Sequence, residues 1–126
     1  MTVAQAQLSI LVVDDDPAVA EILAEVIQDL GHHADVAVGG VPGLQRLHEK
    51  AYDLVFADVR MPDLDGLQLY RAAEVAAKGP RPPFVFVTGN VFAPEVSSFL
   101  GAAGRVHVEK PFRPDDIAHA LEAARS

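Results

Sequence analysis

Three adjacent carboxylates follow an apolar segment near the start of the chain, in the stretch ILVVDDDP. Like charges as close as those of Asp14, Asp15 and Asp16 repel one another, so the cluster predicts a bound counter-charge. A further carboxylate, Asp58, directly follows the apolar segment LVFA. Carboxylates gathered at an open edge form a hard-oxygen site, which Mg²⁺ (or Mn²⁺) occupies together with water and a phosphate oxygen.

Two more polar residues follow predicted strands in the second half of the chain. Thr88 comes after FVFV, and Lys110 comes after RVHVE and directly before Pro111. A lysine contributes a point charge for a phosphoryl oxygen, and a threonine contributes a hydroxyl donor. Beside these groups a carboxylate could act as a nucleophile toward phosphorus. The residue types therefore indicate phosphoryl chemistry.

Alternating strands and helices would bring these polar residues together. Apolar segments predict strands at 8–13, 34–38, 52–57, 84–87 and 105–108. Helical spacing and stop signals predict helices at 17–30, 41–49, 65–77, 94–100 and 114–124. Five β–α units imply an α/β fold whose parallel sheet is covered by helices on both faces. Ligands of such sheets bind beyond the carboxyl ends of the strands, where the polar residues are predicted to lie.

The composition limits the classes of function. The 126 residues suit one domain, predicted at 8–124 after a tail at 1–7. A formal net charge of −8 makes the chain a poor binder of nucleic acid and of anionic membranes. The chain has no cysteine, and no apolar run approaches the roughly 20 residues of a membrane-spanning helix. No signal peptide is evident, so the expected location is the cytoplasm.

Four segments, ILVVDDDP, LVFADVRMPDLDG, FVFVTGN and EKPF, resemble in this order the signature segments of response-regulator receiver domains. The stretch from FVFVTGN to EKPF is more similar to receivers attached to hybrid sensor histidine kinases. The resemblance implies a flavodoxin-like fold, a doubly wound sheet of five strands in the order 2-1-3-4-5 flanked by five helices. It also implies a cis peptide bond between Lys110 and Pro111.

Receiver domains are signalling phosphoacceptors of two-component systems, and the resemblance assigns roles to the acidic residues. It implies that Asp58 accepts phosphoryl from a phosphohistidine of a sensor histidine kinase or histidine phosphotransfer protein. The side chains of Asp15 and Asp58 would bind Mg²⁺ directly. Arg60 would bind it through its backbone carbonyl, and Asp14 would act through water.

The remaining family positions concern the phosphoryl group and its lifetime. By the resemblance, Thr88 and Lys110 hold the phosphoryl oxygens. The position that usually carries a switch Tyr or Phe holds His107, a departure that could add pH dependence. Slow autodephosphorylation would depend on Arg60 and Asn90, neither of which is an efficient general base at neutral pH.

A surface beside the acidic pocket is expected to dock the phosphodonor. On the first helix, large apolar residues at helical spacing predict the inward stripe Val19, Leu23, Val26 and Leu30. The outward stripe is then Ala18, Ile22, Glu25 and Asp29. Ala18 and Ile22, flanked by Pro111 and Phe112, would form an apolar patch that fits a helical phosphodonor. The other expected partner is a downstream protein target, and the expected assembly is a monomer or weak dimer.

Two other functions use similar elements. A haloacid-dehalogenase-type phosphatase would use Asp14 as its nucleophile, Asp16 as the end of a D-x-D motif, and the pair at 115 and 116 as its last acidic residues. That interpretation leaves Asp58 and the segment MPDLDG without a role. A flavin carrier of similar architecture would need a phosphate loop rich in Ser, Thr and Gly after the first strand, which the three carboxylates replace.

Some acidic residues also have purely structural interpretations. Asp16 precedes Pro17, a pattern typical of a helix N-cap and the first helical position. Asp63 and Asp65 are expected to serve the turn PDLDG and the start of the next helix.

Overall fold

A computed structural model of the protein describes residues 7–89, 93–102 and 105–125, in which five strands and five helices alternate. The strands are β1 (Ser9–Asp14), β2 (His33–Val38), β3 (Leu54–Asp58), β4 (Phe84–Thr88) and β5 (His107–Glu109). The helices are α1 (Pro17–Asp29), α2 (Gly40–Glu49), α3 (Gly66–Ala76), α4 (Pro94–Ala102) and α5 (Pro114–Arg125). Each predicted element is present, with ends within two residues of the prediction.

The strands form one parallel sheet in the order β2-β1-β3-β4-β5, which confirms the predicted doubly wound, flavodoxin-like topology. Val13 of β1 pairs with Ala57 of β3, so the next residues along these strands, Asp14 and Asp58, lie side by side. Asp58 in turn pairs with Val87, the residue before Thr88. The register therefore brings the polar strand ends to one edge of the sheet.

Both faces of the sheet are buried. On one face, Leu11 and Val13 pack with residues of α2, α3 and α4. On the other face, Ile10 and Val12 pack with residues of α1 and α5. Because both faces are covered, the interior strands β1, β3 and β4 are nearly continuous apolar runs rather than alternating ones, and this core supports the polar edge.

The first helix starts as predicted but buries a different stripe. The Asp16 carboxylate caps α1 by accepting from the backbone N–H groups of Ala18 and Val19, and Pro17 is the first helical residue. Of the predicted inward stripe, Leu23 is buried and Val26 packs half-buried against the core, which agrees with the prediction. The other two residues differ from it, because Val19 is half-buried at a surface groove and Leu30 is 39% exposed. The buried residues are Ala20, Leu23, Ala24 and Ile27.

Small side chains explain this rotation of the first helix. Alanines facing the sheet let a helix axis lie close to it, so larger residues fit better at the flanks. The stripe predicted to face outward keeps its exposure at Ala18, Ile22, Glu25 and Asp29.

Within the described ranges, every helix is too short or too polar to cross a lipid bilayer.

Candidate functional site

Three carboxylates converge at the carboxyl edge of the sheet. One oxygen from each of Asp14, Asp15 and Asp58 lies within 4.8 Å of the others. Asp14 and Asp58 are buried, at 1% and 6% exposure, whereas Asp15 is exposed. The neighbouring ends of β1 and β3 bring the two buried groups together, as the sequence predicted.

Lys110 provides the positive charge of the cluster. Its Nζ lies 3.2 Å from Asp14 Oδ2 and 3.2 Å from Asp58 Oδ2, so one ammonium group bridges both buried carboxylates. The backbone N–H of Lys110 donates to the carbonyl of Thr88 at 2.8 Å, which fixes the residue after β5 to the end of β4. The Lys110–Pro111 peptide bond is cis, as predicted.

Burial and charge perturb the titration of this cluster. Burial, and after it the negative charge of Asp14, raises the pKa of Asp58 from its ordinary 3.8 to about 6, although Lys110 and the Arg60 N–H oppose the rise. Burial lowers the pKa of Lys110, but the carboxylates of Asp58 and Asp14 outweigh it and the net change is upward. Lys110 therefore stays protonated, and the ionised form of Asp58 is destabilised in the folded protein.

Backbone amides hold the remaining oxygens of the buried carboxylates. The N–H of Asp16 donates to Asp14 Oδ1 at 2.9 Å, and the N–H of Arg60 donates to Asp58 Oδ1 at 3.2 Å. Each carboxylate is thus fixed by one amide on one oxygen and by Lys110 on the other. These contacts preorganise both groups toward the open edge.

The start of α3 lies against the backbone of Asp58. Gly66 donates its N–H to the carbonyl of Val59 at 3.0 Å, and a Cβ at Gly66 would collide with the carbonyl oxygen of Asp58. Asp65 caps α3 in a capping box with Gln68, as its structural interpretation predicted. A glycine is required here because two backbone segments touch.

Asp63 serves its turn, as predicted, through a bond from Leu64, and it has a second structural role that the sequence did not reveal. Its carboxylate accepts from the N–H groups of Gly40 at 3.1 Å and Val41 at 3.0 Å, and also from Leu64 at 2.8 Å. Asp63 therefore caps the preceding helix α2, and its pKa is lowered mainly by the bond from Val41. Sequence spacing could not reveal this contact, because the partners are 22 and 23 residues apart.

The other predicted site residues occupy different environments. Thr88 is buried at the end of the interior strand β4. His107, which the family resemblance predicts to be the switch residue, is exposed on β5. Asn90 lies outside the described residues.

The predicted docking residues mostly line one apolar groove. Ile22, which is 53% exposed, lines it together with Val19, Lys110, Pro111 and Phe112, around a volume of about 390 Å³. Ala18 is exposed on the same helix but does not line the groove. The groove begins at Lys110, so it adjoins the acidic cluster.

A second groove opens over Asp15. It has a volume of about 440 Å³, and its wall includes Arg60 and Glu95. Arg60 Nη2 lies 3.3 Å from Glu95 Oε1 in the lining of this groove, and both side chains are largely exposed. The sequence did not single out Glu95, since no local pattern links it to the acidic cluster.

A doubly wound sheet with this strand order places the protein in the class of CheY-like α/β domains. The chemotaxis protein CheY4 of Vibrio cholerae superposes with a TM-score of 0.83 at 24% identity, over 94% of this chain and 99% of that one. The receiver domain of the sensor histidine kinase PA1611 of Pseudomonas aeruginosa superposes with a TM-score of 0.82 at 24% identity, over 94% and 98%.

The sequence identifies the family within that class. The response regulator receiver domain model matches residues 10–122, so the chain belongs to this family of two-component signalling phosphoacceptors. The histidine-protein kinase BarA of Escherichia coli is 26% identical over 117 residues, which cover 90% of this chain. That match spans only 12% of BarA, so the chain corresponds to a small part of this relative. These matches give no support to the haloacid-dehalogenase alternative.

Proposed function

We propose that Asp58 is the phosphoacceptor of this receiver domain, which we take to span residues 8–124. The observation that carries the proposal is the Lys110 ammonium, which bridges Asp58 and Asp14 at 3.2 Å on the open edge of the sheet. A carboxylate oxygen of Asp58 forms the new P–O bond while the P–N bond of a phosphohistidine breaks. The electron pair stays with the imidazole nitrogen, which takes a proton from solvent.

The donor set fits Mg²⁺ or Mn²⁺. Three carboxylate oxygens within 4.8 Å of one another are hard donors of the type these ions prefer. We propose direct ligation by Asp15, Asp58 and the Arg60 carbonyl, with Asp14 acting through water. A magnesium ion is coordinated in the active site cleft of the PA1611 receiver. When bound, the ion would supply positive charge to the phosphoryl oxygens.

Other residues would hold the phosphoryl group and respond to it. Lys110 already lies beside the acceptor and would pair with a phosphoryl oxygen, while the Thr88 hydroxyl would donate to another. His107 would be the switch residue. Because neither Arg60 nor Asn90 is an efficient base, we propose that hydrolysis of the aspartyl phosphate is slow.

The groove between α1 and the segment after β5 is the proposed dock for the phosphodonor. Ile22, Pro111 and Phe112 offer an apolar surface next to Lys110, and we include Ala18, which is exposed one turn before Ile22 on the same helix. We propose a sensor histidine kinase or a histidine phosphotransfer protein as the donor, with a protein as the downstream target and no role in nucleic-acid binding. The proposed assembly is a monomer or weak dimer.

Phosphorylation with a small donor tests this function. Acetyl phosphate and Mg²⁺ should add one phosphoryl group to the wild-type protein, detected by intact mass, and EDTA should prevent it. Asp58→Asn should abolish labelling, whereas Asp29→Asn, an exposed aspartate on α1, should leave it unchanged. Stable labelling of the Asp58→Asn protein would refute the assignment.

A further inference from the structure

Arg60 contacts two parts of the molecule, the proposed acceptor Asp58 and the start of α4. Its backbone N–H donates to Asp58 Oδ1 at 3.2 Å, so the residue is anchored beside the proposed acceptor. Its guanidinium is 3.3 Å from Glu95 Oε1, in the first turn of α4. One residue therefore links the loop after β3 to α4.

The contact with Glu95 has the character of an exchangeable ion pair. The side chains are 62% and 65% exposed, and ion pairs this exposed contribute little net free energy. Glu95 also has an alternative source of stabilisation, since free N–H groups at a helix start favour a carboxylate. The Arg60 guanidinium is therefore free to change partner at little cost.

Phosphorylation would create a stronger partner for Arg60. A phosphoryl group on Asp58 replaces a carboxylate by a group with more negative charge and with oxygens suited to bidentate guanidinium contacts. Lys110 already contacts both Asp58 and Asp14. Arg60 carries a second positive charge on a residue whose backbone N–H already contacts Asp58.

We propose that Glu95 is a positioning residue that holds the Arg60 side chain away from the acceptor until Asp58 is phosphorylated. The inference rests on the proposed function, phosphorylation of Asp58. In the unphosphorylated protein the ion pair between Arg60 and Glu95 connects the loop after β3 to α4. In the phosphorylated protein Arg60 turns to the phosphoryl group, and the start of α4 loses this tie. Such a difference in contacts between the two states is what a conformational switch requires.

A stable phosphoryl analogue tests the competition. Beryllofluoride with Mg²⁺ mimics the phosphoryl group on a carboxylate, and its dissociation constant is measurable by calorimetry. Glu95→Gln frees Arg60 in advance, so this variant should bind the analogue about twofold to fivefold more tightly than wild type at low salt. The gain should shrink at high salt, because an exposed pair is screened.

A second ion pair supplies the matched control. Glu74 pairs with Arg81 at 3.1 Å and is exposed on α3, outside the groove over Asp15. Glu74→Gln makes the same change in charge and should leave the affinity unchanged. The positioning role is wrong if Glu95→Gln binds the analogue no more tightly than wild type does. It is also wrong if the gain in affinity is no larger than that of Glu74→Gln. In both cases the proposed function stands.

Nuclear magnetic resonance of the Arg60 side chain distinguishes a positioning role of Glu95 from a merely structural one. In wild type, the Arg60 side-chain Nε–H signal and the Glu95 carboxyl carbon signal should both shift when beryllofluoride binds. In free Glu95→Gln, the Arg60 signal should differ from that of free wild type. If neither wild-type signal shifts on binding, the exchange does not occur. If wild type neither binds the analogue nor is labelled by acetyl phosphate, both this inference and the proposed function fail.

Discussion

Burial and the neighbouring charge of Asp14 destabilise the ionised form of Asp58. The stability of the metal-free protein therefore depends on pH. The folded pKa of Asp58, about 6, lies above the ordinary 3.8. The folded state therefore binds the Asp58 proton more tightly than the unfolded chain does. This contribution to stability is full below pH 3.8 and is lost as the pH rises through about 6.

Replacing Asp58 by Asn should remove that loss. Without metal at pH 7.5, we expect Asp58→Asn to be more stable than wild type by about 3 kcal/mol at most, the equivalent of a shift of about two pKa units. The difference should shrink toward pH 4, where wild-type Asp58 is protonated in the fold. Urea unfolding of both proteins across this range measures it.

Asp15 supplies the control for this experiment. It belongs to the same carboxylate cluster but is exposed, so water screens its charge. Asp15→Asn should stabilise the free protein less than Asp58→Asn does. An advantage of Asp58→Asn that does not change with pH would contradict the role given to ionisation.

Arg60 should govern the lifetime of the phosphorylated state. A guanidinium paired with phosphoryl oxygens both stabilises the aspartyl phosphate and blocks an attacking water. Arg60→Ala should shorten the half-life about threefold to tenfold, which corresponds to about 1 kcal/mol in the barrier, and Arg60→Glu should shorten it further. The measurement is loss of phosphate in Mg²⁺ after removal of the donor, with the exposed Arg46 changed to Ala as control. A longer half-life in Arg60→Ala would favour a transition-state role instead.

At the scale of elements, the start of α3 sets the position of the acceptor loop. A Cβ at Gly66 would meet the Asp58 carbonyl and the Cα of Val59. Neither is the end of a flexible side chain, so Gly66→Ala must displace backbone. We expect a loss of about 1–3 kcal/mol in stability, as for other overpacked sites, and slower labelling by acetyl phosphate.

Gly101 of α4 is the matched control for that substitution. Nothing lies within 4 Å of a Cβ built there. Gly101→Ala should therefore stabilise the protein by up to about 1 kcal/mol through helix propensity. Thermal melting should give a lower melting temperature for Gly66→Ala than for Gly101→Ala. Equal melting temperatures would contradict the close contact at Gly66.

At the scale of the whole molecule, docking and chemistry should be separable. Ile22 lines the groove beside Lys110 but makes no hydrogen bond or ion pair with the carboxylate cluster. Ile22→Glu should slow transfer from a phosphorylated kinase or phosphotransfer protein by about tenfold, the cost of about 1.4 kcal/mol of lost apolar contact. Labelling by acetyl phosphate should continue at the wild-type rate.

Val75 provides the comparison for the docking variant. It is 90% exposed on α3 and lies outside the groove of Ile22. Val75→Glu adds the same charge and should affect neither rate. If Ile22→Glu slows both the protein donor and acetyl phosphate, the residue serves the structure rather than docking.

The sequence by itself determined the ten elements and the edge of the sheet at which the polar residues meet. Buried parallel strands appear as continuous apolar runs, and ligand-binding residues of such sheets follow the strands directly. Asp14, Asp58, Thr88 and Lys110 could therefore be found from their positions at or just after the ends of predicted strands. The convergence of Asp14, Asp15 and Asp58 follows from strand order, which the family resemblance supplied.

Only the tertiary structure decided contacts that join distant parts of the chain. Asp63 caps α2 and Arg60 pairs with Glu95, although these partners are 22 to 35 residues apart. The face that α1 buries was also decided by packing, since Ala20 and Ala24 let the helix approach the sheet while Leu30 remains exposed. Local patterns record the period of a helix or strand. They do not record which side chain from elsewhere reaches a given donor, because that depends on how the elements pack.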